Sequence, residues 1–362
     1  MDVRLLWVEA RDFRNHRETS LQVPASVTAV VGPNAQGKTN LLEAMFYLCG
    51  LESPRVRADL PLVRSGASSA FLRGEVEGLG GRALIEVEIR ASGANRIQVN
   101  RSAVRRKRDV RKVARAVFSG PDDLDIVGGE PDARRRFMDE AVRGLWPPRE
   151  SLFSAYDRVL RQRNRLLKEW DGPGAPQGLE TWDGELAAAA AALMRARADA
   201  IERIAPVAAK EFLGLTGGEE TLVVEYRPSA WGEPLEDAFI AALAGRREDE
   251  LLRRVTLVGP HRDEMLLEVR GLVARGFASH GESWGAALSL RLALARVVGE
   301  EAGEPPICFL DDPFSALDPG RRERLMAALD GRGQLLIAVP DEVQIPEGAA
   351  VWRVREGTVV AA

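Results

Sequence analysis

The 362-residue sequence predicts an α/β fold assembled from both ends of the chain, with a mostly helical segment inserted between them. Three observations predict it. The apolar run Val27 to Val31 enters the stretch Gly32-Pro33-Asn34-Ala35-Gln36-Gly37-Lys38-Thr39, and Asn40-Leu41-Leu42-Glu43-Ala44-Met45 continues it with helical character, so the order is strand, loop, helix. Near the other end, Pro305-Pro306-Ile307-Cys308-Phe309-Leu310-Asp311-Asp312 reads as a short buried strand that ends in paired acids. Between these, from about Pro131, the apolar period changes to that of helices.

Taken in order, residues 3–9 and 21–31 read as strands around a turn at Arg14-Asn15-His16, with a second turn at Pro24-Ala25. The helix after the loop spans Thr39 to about Leu48, with Gly50 as its expected C′ glycine. Alternating runs at Ala70–Val76, Ala83–Ile89 and Arg96–Val99 predict antiparallel strands. Helices are expected over 135–145, 150–170 and 182–213, the last two joined by the Gly/Pro-rich connection 171–178. Small side chains at 187–192 predict close packing of the third helix on the second. Strands resume at Thr221–Tyr226 and Val255–Val258, with a hairpin around Met265–Val269 and Val273–Ser279. A helix from Arg321 to Leu329 and a buried strand from Gln334 to Val339 close the pattern. The expected division is a head formed by 1–130 and 255–362, and an arm formed by 131–254.

Composition narrows the class. Cys49 and Cys308 are the only cysteines and both lie in apolar runs, which fits a reducing compartment better than a disulfide framework. His16, His261 and His280 are scattered without cysteine partners, so a zinc site is not expected. No apolar run approaches the ~20 residues of a membrane helix, and no signal-peptide pattern opens the chain. A cytoplasmic protein with no membrane association is expected. The net charge of −4 provides no global attraction to a polyanion, but residues 101–170 carry 18 Lys/Arg against 11 Asp/Glu. The surplus lies in Arg105-Arg106-Lys107-Arg108, in Arg134-Arg135-Arg136, and in Arg158, Arg161, Arg163 and Arg165. Each run alone could be a solvated or ion-paired helix face; three together favour a polyanion-facing surface.

The motifs carry the chemistry. In G-x-x-x-x-G-K-T, Gly32 and Gly37 let the backbone approach an anion, and the N–H groups of Pro33's successors Asn34, Ala35 and Gln36 converge on phosphate oxygens. Lys38 reaches the β- and γ-phosphates of ATP, the Thr39 hydroxyl is placed for Mg²⁺, and Asn40 opens the helix whose N-terminus faces the nucleotide. In the second motif Asp311 holds Mg²⁺ and Asp312 orients the attacking water. Ser279-His280-Gly281-Glu282 starts a helix; Ser279, Gly281 and Glu282 form an anion site of the kind that cassette ATPases offer to the nucleotide of the opposite subunit. Alone, that pattern is equally an ordinary N-cap.

The order phosphate loop, long insertion, Ser-x-Gly-Glu helix, Asp-Asp strand and Ser315-Ala316-Leu317-Asp318 is that of an ABC/SMC-type P-loop ATPase head. With further markers the sequence resembles the RecF family of bacterial recombination-mediator ATPases. These are Phe13-Arg14-Asn15, Ser53-x-Arg55, Asp123-Leu124, Arg134-Arg135-Arg136-Phe137-Met138-Asp139, the segment Tyr156 to Lys168, and Gly259-Pro260-His261-Arg262-Asp263-Glu264. The resemblance implies an ATP-dependent homodimer that binds gapped single- and double-stranded DNA and hydrolyses ATP slowly. It also implies action with RecR and RecO in placing RecA. The chain departs from the family pattern at Ser283-Trp284-Gly285, where a Gln, an Arg and a Thr are usual, and at Ala316, where Glu is common. The first departure is expected to alter the contact in trans. A transporter's nucleotide subunit is disfavoured by the long arginine-rich insertion and by Pro340-Asp341 where a switch histidine would stand. An SMC-like structural clamp would require a long heptad stretch, and none is present.

Overall fold

The structure is a computed structural model that describes residues 3–218, 220–315 and 317–361. Ala316 therefore lies outside the described residues. The chain opens with β1 (Arg4–Phe13), β2 (His16–Gln22), β3 (Val27–Val31), helix α1 (Lys38–Gly50), β4 (Ser69–Gly78), β5 (Gly81–Arg90), β6 (Arg96–Val99), β7 (Ser102–Ala103), α2 (Lys107–Arg111) and β8 (Ala116–Ser119). Helices come next: α3 (Leu124–Val127), α4 (Pro131–Leu145), α5 (Glu150–Glu169) and α6 (Leu179–Leu215). Then come β9 (Leu222–Arg227), α7 (Leu235–Gly245), α8 (Arg247–Arg253), β10 (Glu264–Val269), β11 (Leu272–Val273) and the short turn α9 (Ala274–Phe277). The chain ends with α10 (His280–Ala302), β12 (Ile307–Asp311), α11 (Pro319–Leu329), β13 (Leu335–Val339), β14 (Ala350–Arg355) and β15 (Thr358–Ala361).

Two six-stranded sheets enclose α1. One is antiparallel, in the order β2-β1-β4-β5-β6-β7; the other is mainly parallel, in the order β15-β14-β3-β13-β12-β8. The central strands β3, β13 and β12 of the parallel sheet are buried on both faces, which is why they read as unbroken apolar runs. Along β12, Ile307 and Phe309 face α1 and the antiparallel sheet, whereas Cys308 and Leu310 join the core made by α4, α6 and α10. The buried Gln334 fastens the two sheets: its Nε2 donates to the Leu5 and Pro24 carbonyls at 2.9 and 2.7 Å, and its Oε1 accepts from the Leu5 amide at 2.7 Å.

The helical middle shares its core with the C-terminal part of the chain. Along α6, Ala187, Ala190, Ala191 and Ala200 are buried in the same apolar cluster as Ala286, Leu290 and Ala293 of α10. The β9 strand pairs with β10 from Glu264↔Arg227 to Val269↔Leu222, joining residues on either side of the expected boundary at 254/255.

Several expectations are corrected. Gly50 lies inside α1, and Leu51 takes the left-handed conformation that ends it, with φ 55°. Residues 255–258 form no strand, because side chains satisfy their amides: Thr256 N–H donates to Asn164 Oδ1 and Leu257 N–H to Glu250 Oε1, both at 2.8 Å. The second arm of the expected hairpin is only Leu272–Val273, after which the chain turns toward α10. The sequence pattern missed β8, α7, α8 and the terminal hairpin β14–β15. Of these, β8 is only four residues long and β15 alternates weakly.

Candidate functional site

The phosphate loop runs from the end of β3 to the start of α1, and its geometry depends on two glycines. A Cβ on Gly32 would stand 2.4 Å from the Val354 carbonyl oxygen. Gly37 has φ +114°, and a Cβ there would meet the Asn15 side chain at 2.7 Å. Ala35 is also left-handed, with φ 63°. The loop is clamped from outside. Gln36 Oε1 accepts from the Glu356 amide at 2.7 Å, the Gln36 carbonyl accepts from the Gly357 amide at 2.9 Å, and Asn15 Nδ2 reaches that carbonyl at 3.1 Å. His16, wholly buried, sits between the carbonyls of Gly37 (3.0 Å from Nε2) and Gly357 (2.8 Å from Nδ1). Burial pushes its pKa below the usual imidazole value.

Lys38 Nζ donates to the Gly32 and Pro33 carbonyls at 2.6 and 2.9 Å. Its pKa is lowered by burial, an effect opposed by attraction to Asp311 and Asp312. The Thr39 hydroxyl donates to Asp311, 3.0 Å from Oδ1 and 2.8 Å from Oδ2. Burial raises the Asp311 carboxyl above the ordinary aspartate value, against the Thr39 hydrogen bond, and Asp312 adds to the rise. Asp312 comes next with φ 50°, a conformation that costs energy in a non-glycine residue, and its amide donates to the Ala338 carbonyl at 3.0 Å. Its Oδ1 is buried and has no hydrogen-bond partner among the described residues. Burial raises this carboxyl as well, with Lys38 opposing.

Markers outside the loop gather around it. Glu43, fully buried on α1, accepts two hydrogen bonds from Arg14, each at 2.8 Å, and one from Ser53 Oγ at 2.5 Å. Asn40 accepts from Arg55 at 3.1 Å and donates to Asn15 at 2.8 Å. Phe13-Arg14-Asn15 and Ser53-x-Arg55 thus meet on the first turns of α1. Sequence alone assigns them no partner, since the contacts bridge up to 29 residues.

Ser279 is the N-cap of α10 in a capping box: its hydroxyl accepts from the Glu282 amide at 3.3 Å, and its own amide donates to Glu282 Oε2 at 2.7 Å. Glu282 is held below the usual glutamate range, first by that backbone hydrogen bond, and it also pairs with Arg270 at 2.6 Å. Lys38, Thr39, Asp311 and Asp312 thus converge, while Ser279 and Glu282 are engaged with each other and Glu282 with Arg270. Ser283-Trp284-Gly285 has an internal explanation. Trp284 is buried and donates from Nε1 to the Pro313 carbonyl at 3.0 Å, and a Cβ on Gly285 would lie 3.3 Å from the Phe212 ring.

The Gly259-to-Glu264 motif is an architectural knot. Buried Asp263 accepts from the Tyr226 hydroxyl, from the Ser229 amide at 2.8 Å and from Arg197 at 3.2 Å. His261 Nδ1 is 2.6 Å from the Tyr156 hydroxyl, and its Nε2 is 3.0 Å from the Thr256 carbonyl oxygen. These partners suit a neutral ring that donates from Nε2 and accepts at Nδ1.

The arginine runs divide. Arg134 is buried and pairs with Glu264 at 2.5 Å; Arg163 is fully buried between Asp183 and Glu250 at 2.8 and 2.6 Å. Arg135 donates to the Asp263 carbonyl at 3.1 Å, Arg136 pairs with Asp132 and Arg165 with Glu169. Arg134, Arg135 and Arg163 thus turn to internal partners and do not form the expected polyanion-facing surface, whereas Arg136 and Arg165 stay exposed in their ion pairs. Arg105, Arg106, Arg158 and Arg161 are exposed. Among the described residues no helix is long and apolar enough to cross a membrane, and no cluster of three or more His, Cys, Asp or Glu could hold a metal.

A family model described as the RecF/RecN/SMC N terminal domain matches residues 4–358. The "DNA replication and repair protein RecF" of Streptomyces avermitilis is 43% identical, over 96% of this chain and 97% of that protein. The protein of the same name from Acidothermus cellulolyticus is 41% identical, over 94% and 95%. Among solved structures, "the recombination mediator protein RecF-ATP in RecFOR pathway" superposes with a TM-score of 0.91 at 26% identity, covering 100% of this chain and 98% of that one. An Smc head domain derived from Pyrococcus furiosus has a TM-score of 0.57 at 13% identity, a likeness of fold alone.

Proposed function

Because the chain belongs to the RecF family, within the RecF/RecN/SMC group of ATPase heads, we propose that it is an ATP-dependent DNA-binding protein of replication and recombinational repair. In this reading two copies close around ATP and engage gapped DNA, in the cytoplasm, together with RecR and RecO in the placing of RecA. The observation that carries it is the convergence of the Thr39 hydroxyl and the Asp311 carboxylate at the phosphate loop, beside an Asp312 oxygen that is buried and unpartnered among the described residues. An aspartate held this way, at positive φ, is poised to take a hydrogen bond from a water molecule.

The donor set fits Mg²⁺. Thr39 Oγ1 and Asp311 are hard oxygen ligands, and too few to enclose a cation, which is the usual arrangement where substrate phosphates and waters complete the shell. When bound, Mg²⁺ would neutralise charge on the β- and γ-phosphate oxygens. The rest falls to side chains. Lys38 leaves the loop carbonyls for the phosphates, the loop amides cradle them, and Asp312 orients water for attack. Ser279 and Gly281 of the opposing copy complete the phosphate contacts. Hydrolysis is slow and serves to end a DNA-bound state.

The segment 131–254 works as an arm on a head built from 1–130 and 255–362. Its longest helix, α6, is packed along α5, α7 and α10 rather than projecting as a coiled coil, which favours this reading over a structural clamp. Light-scattering mass tests the proposal, measured with and without ATP and a gapped duplex on Asp312→Asn. A doubled mass only with ATP, and a larger complex with DNA, is expected; a monomer under all conditions overturns it.

A further inference from the structure

The helix that carries Ser279 and the turn that carries Asp312 are joined by one side chain. Trp284 lies on the second turn of α10, is 5% exposed, and donates from Nε1 to the Pro313 carbonyl at 3.0 Å across 29 residues. Pro313 is buried and adjoins Asp312, whose φ of 50° is held on its other side by its amide's bond to Ala338. Proline has no amide of its own, so the carbonyl bond is the hydrogen bond through which Pro313 is fixed. Beyond it, Phe314 is buried and covered by Arg322 at 4.6 Å. The start of the helix is equally constrained, by the Ser279–Glu282 capping box and by Gly285 against Phe212. The Trp284–Pro313 hydrogen bond is therefore a direct polar connection between α10 and the turn.

We propose that Trp284 is a positioning residue for ATP hydrolysis: it holds the Asp312 turn in its strained conformation and transmits movement of the Ser279 helix to it. The proposal rests on the ATPase reading above. When a second copy's nucleotide draws on Ser279, the indole moves with α10, and the Pro313 carbonyl carries that shift to the carboxylate that orients water. Hydrolysis in one site is thereby tied to engagement of the same subunit's Ser279 with the other.

The test is Trp284→Phe, which keeps an aromatic filler and removes the N–H. Hydrogen–deuterium exchange over residues 310–318, measured without nucleotide, should quicken several-fold; unchanged exchange overturns the proposal without reference to ATP. With ATP, affinity should stay within about twofold, while kcat falls about tenfold. A parallel loss of affinity and kcat would mark Trp284 as packing only and overturn the proposal. Trp284→Phe added to Asp312→Asn should cost no further turnover, because the first acts through the second. If exchange quickens yet Asp312→Asn hydrolyses ATP at the wild-type rate, it is the ATPase assignment that has failed, and Trp284's part in hydrolysis falls with it.

Discussion

Thr39 and Asp311 are 272 residues apart in sequence, yet the hydroxyl of one lies within 3.0 Å of both carboxylate oxygens of the other. Sheet order explains the meeting. Between β3, which feeds the loop before Thr39, and β12, which ends at Asp311, stands only β13, and all three run parallel. Their carboxyl ends therefore share one edge, where open α/β sheets bind ligands.

Burial of the paired acids sets stability against function. Both carboxyls are raised above the ordinary aspartate value, so the folded chain binds these protons more tightly than the unfolded chain. Their contribution is full below the unfolded value and is lost as pH rises through the folded one; at neutral pH the charges cost stability. Asp312→Asn should accordingly melt above wild type at pH 7 and converge with it at low pH. The same variant should bind ATP normally, prolong the dimer and lose at least ~10²-fold in turnover. Calorimetry at two pH values with a phosphate-release assay checks both; a lower Tm at pH 7 would contradict the burial argument.

Lys38→Met should abolish ATP binding and dimerisation together, because no other ammonium stands on the loop. The side chain's own bonds to the Gly32 and Pro33 carbonyls contribute only ~1–3 kcal/mol net, and the methionine fills much of the same space, so the fold should survive. Isothermal titration with ATP, alongside circular dichroism, separates loss of binding from loss of structure.

Elements with a strong period or a mechanism were legible in the sequence: the loop, α4 to α6, β12 and its acids. What escaped had its partners far away. Residues 255–258 look like a strand, but Asn164 and Glu250 take up two of their amides. Arg134 and Arg163 look like part of a basic face, yet each guanidinium is consumed by carboxylates 130 and 87 positions away in sequence. A run of arginines records charge but not direction, and direction is fixed by tertiary contacts. Trp284 looks like a disturbance of the trans surface, whereas it points inward to Pro313.

Ser279→Arg should leave the monomer's ATP affinity nearly intact and block the proposed dimer, since in that reading bulk and charge then stand at the face turned to the second copy. Ser279→Ala separates capping from trans contact. Loss of the cap costs ~1 kcal/mol of stability, and dimerisation should weaken beyond what that loss explains. Sedimentation with ATP reads the dimer; equal weakening of monomer binding would reduce Ser279 to a cap.

Acid should loosen the knot beneath α5. Burial lowers the His261 pKa to about 4 from 6.5, so the unfolded chain takes up a proton first as pH falls. Stability from this group is complete above 6.5 and is lost as pH falls toward about 4, amounting to roughly 3 kcal/mol at ~1.4 per unit. His16, also lowered, acts in the same direction. Urea midpoints should decline from pH 7 to pH 4, and His261→Gln should flatten that decline while lowering the midpoint at pH 7.

The DNA contact is the last expectation, and the structure narrows where it can lie. With Arg134 and Arg163 buried, the exposed members of the runs are Arg105 and Arg106 beside β7, Arg136 on α4, paired with Asp132, and Arg158, Arg161 and Arg165 on α5, the last paired with Glu169. A monomer of net charge −4 presents these only as isolated patches, but an ATP-closed pair presents each patch twice. Every additional phosphate neutralised steepens the plot of log affinity against log salt by ~0.9 for duplex DNA. The ATP-bound form should therefore show a clearly steeper slope than the nucleotide-free form. Arg105→Gln with Arg106→Gln should flatten it without changing ATP affinity, by ~2 to 4 depending on whether one copy or both touch the duplex. Arg108, 4.0 Å from Asp109, should add less when replaced. Fluorescence titrations of a gapped duplex at several salt concentrations decide it. Equal slopes with and without ATP would separate DNA binding from the dimer, and an unchanged slope in the double variant would move the contact to the exposed arginines of α4 and α5.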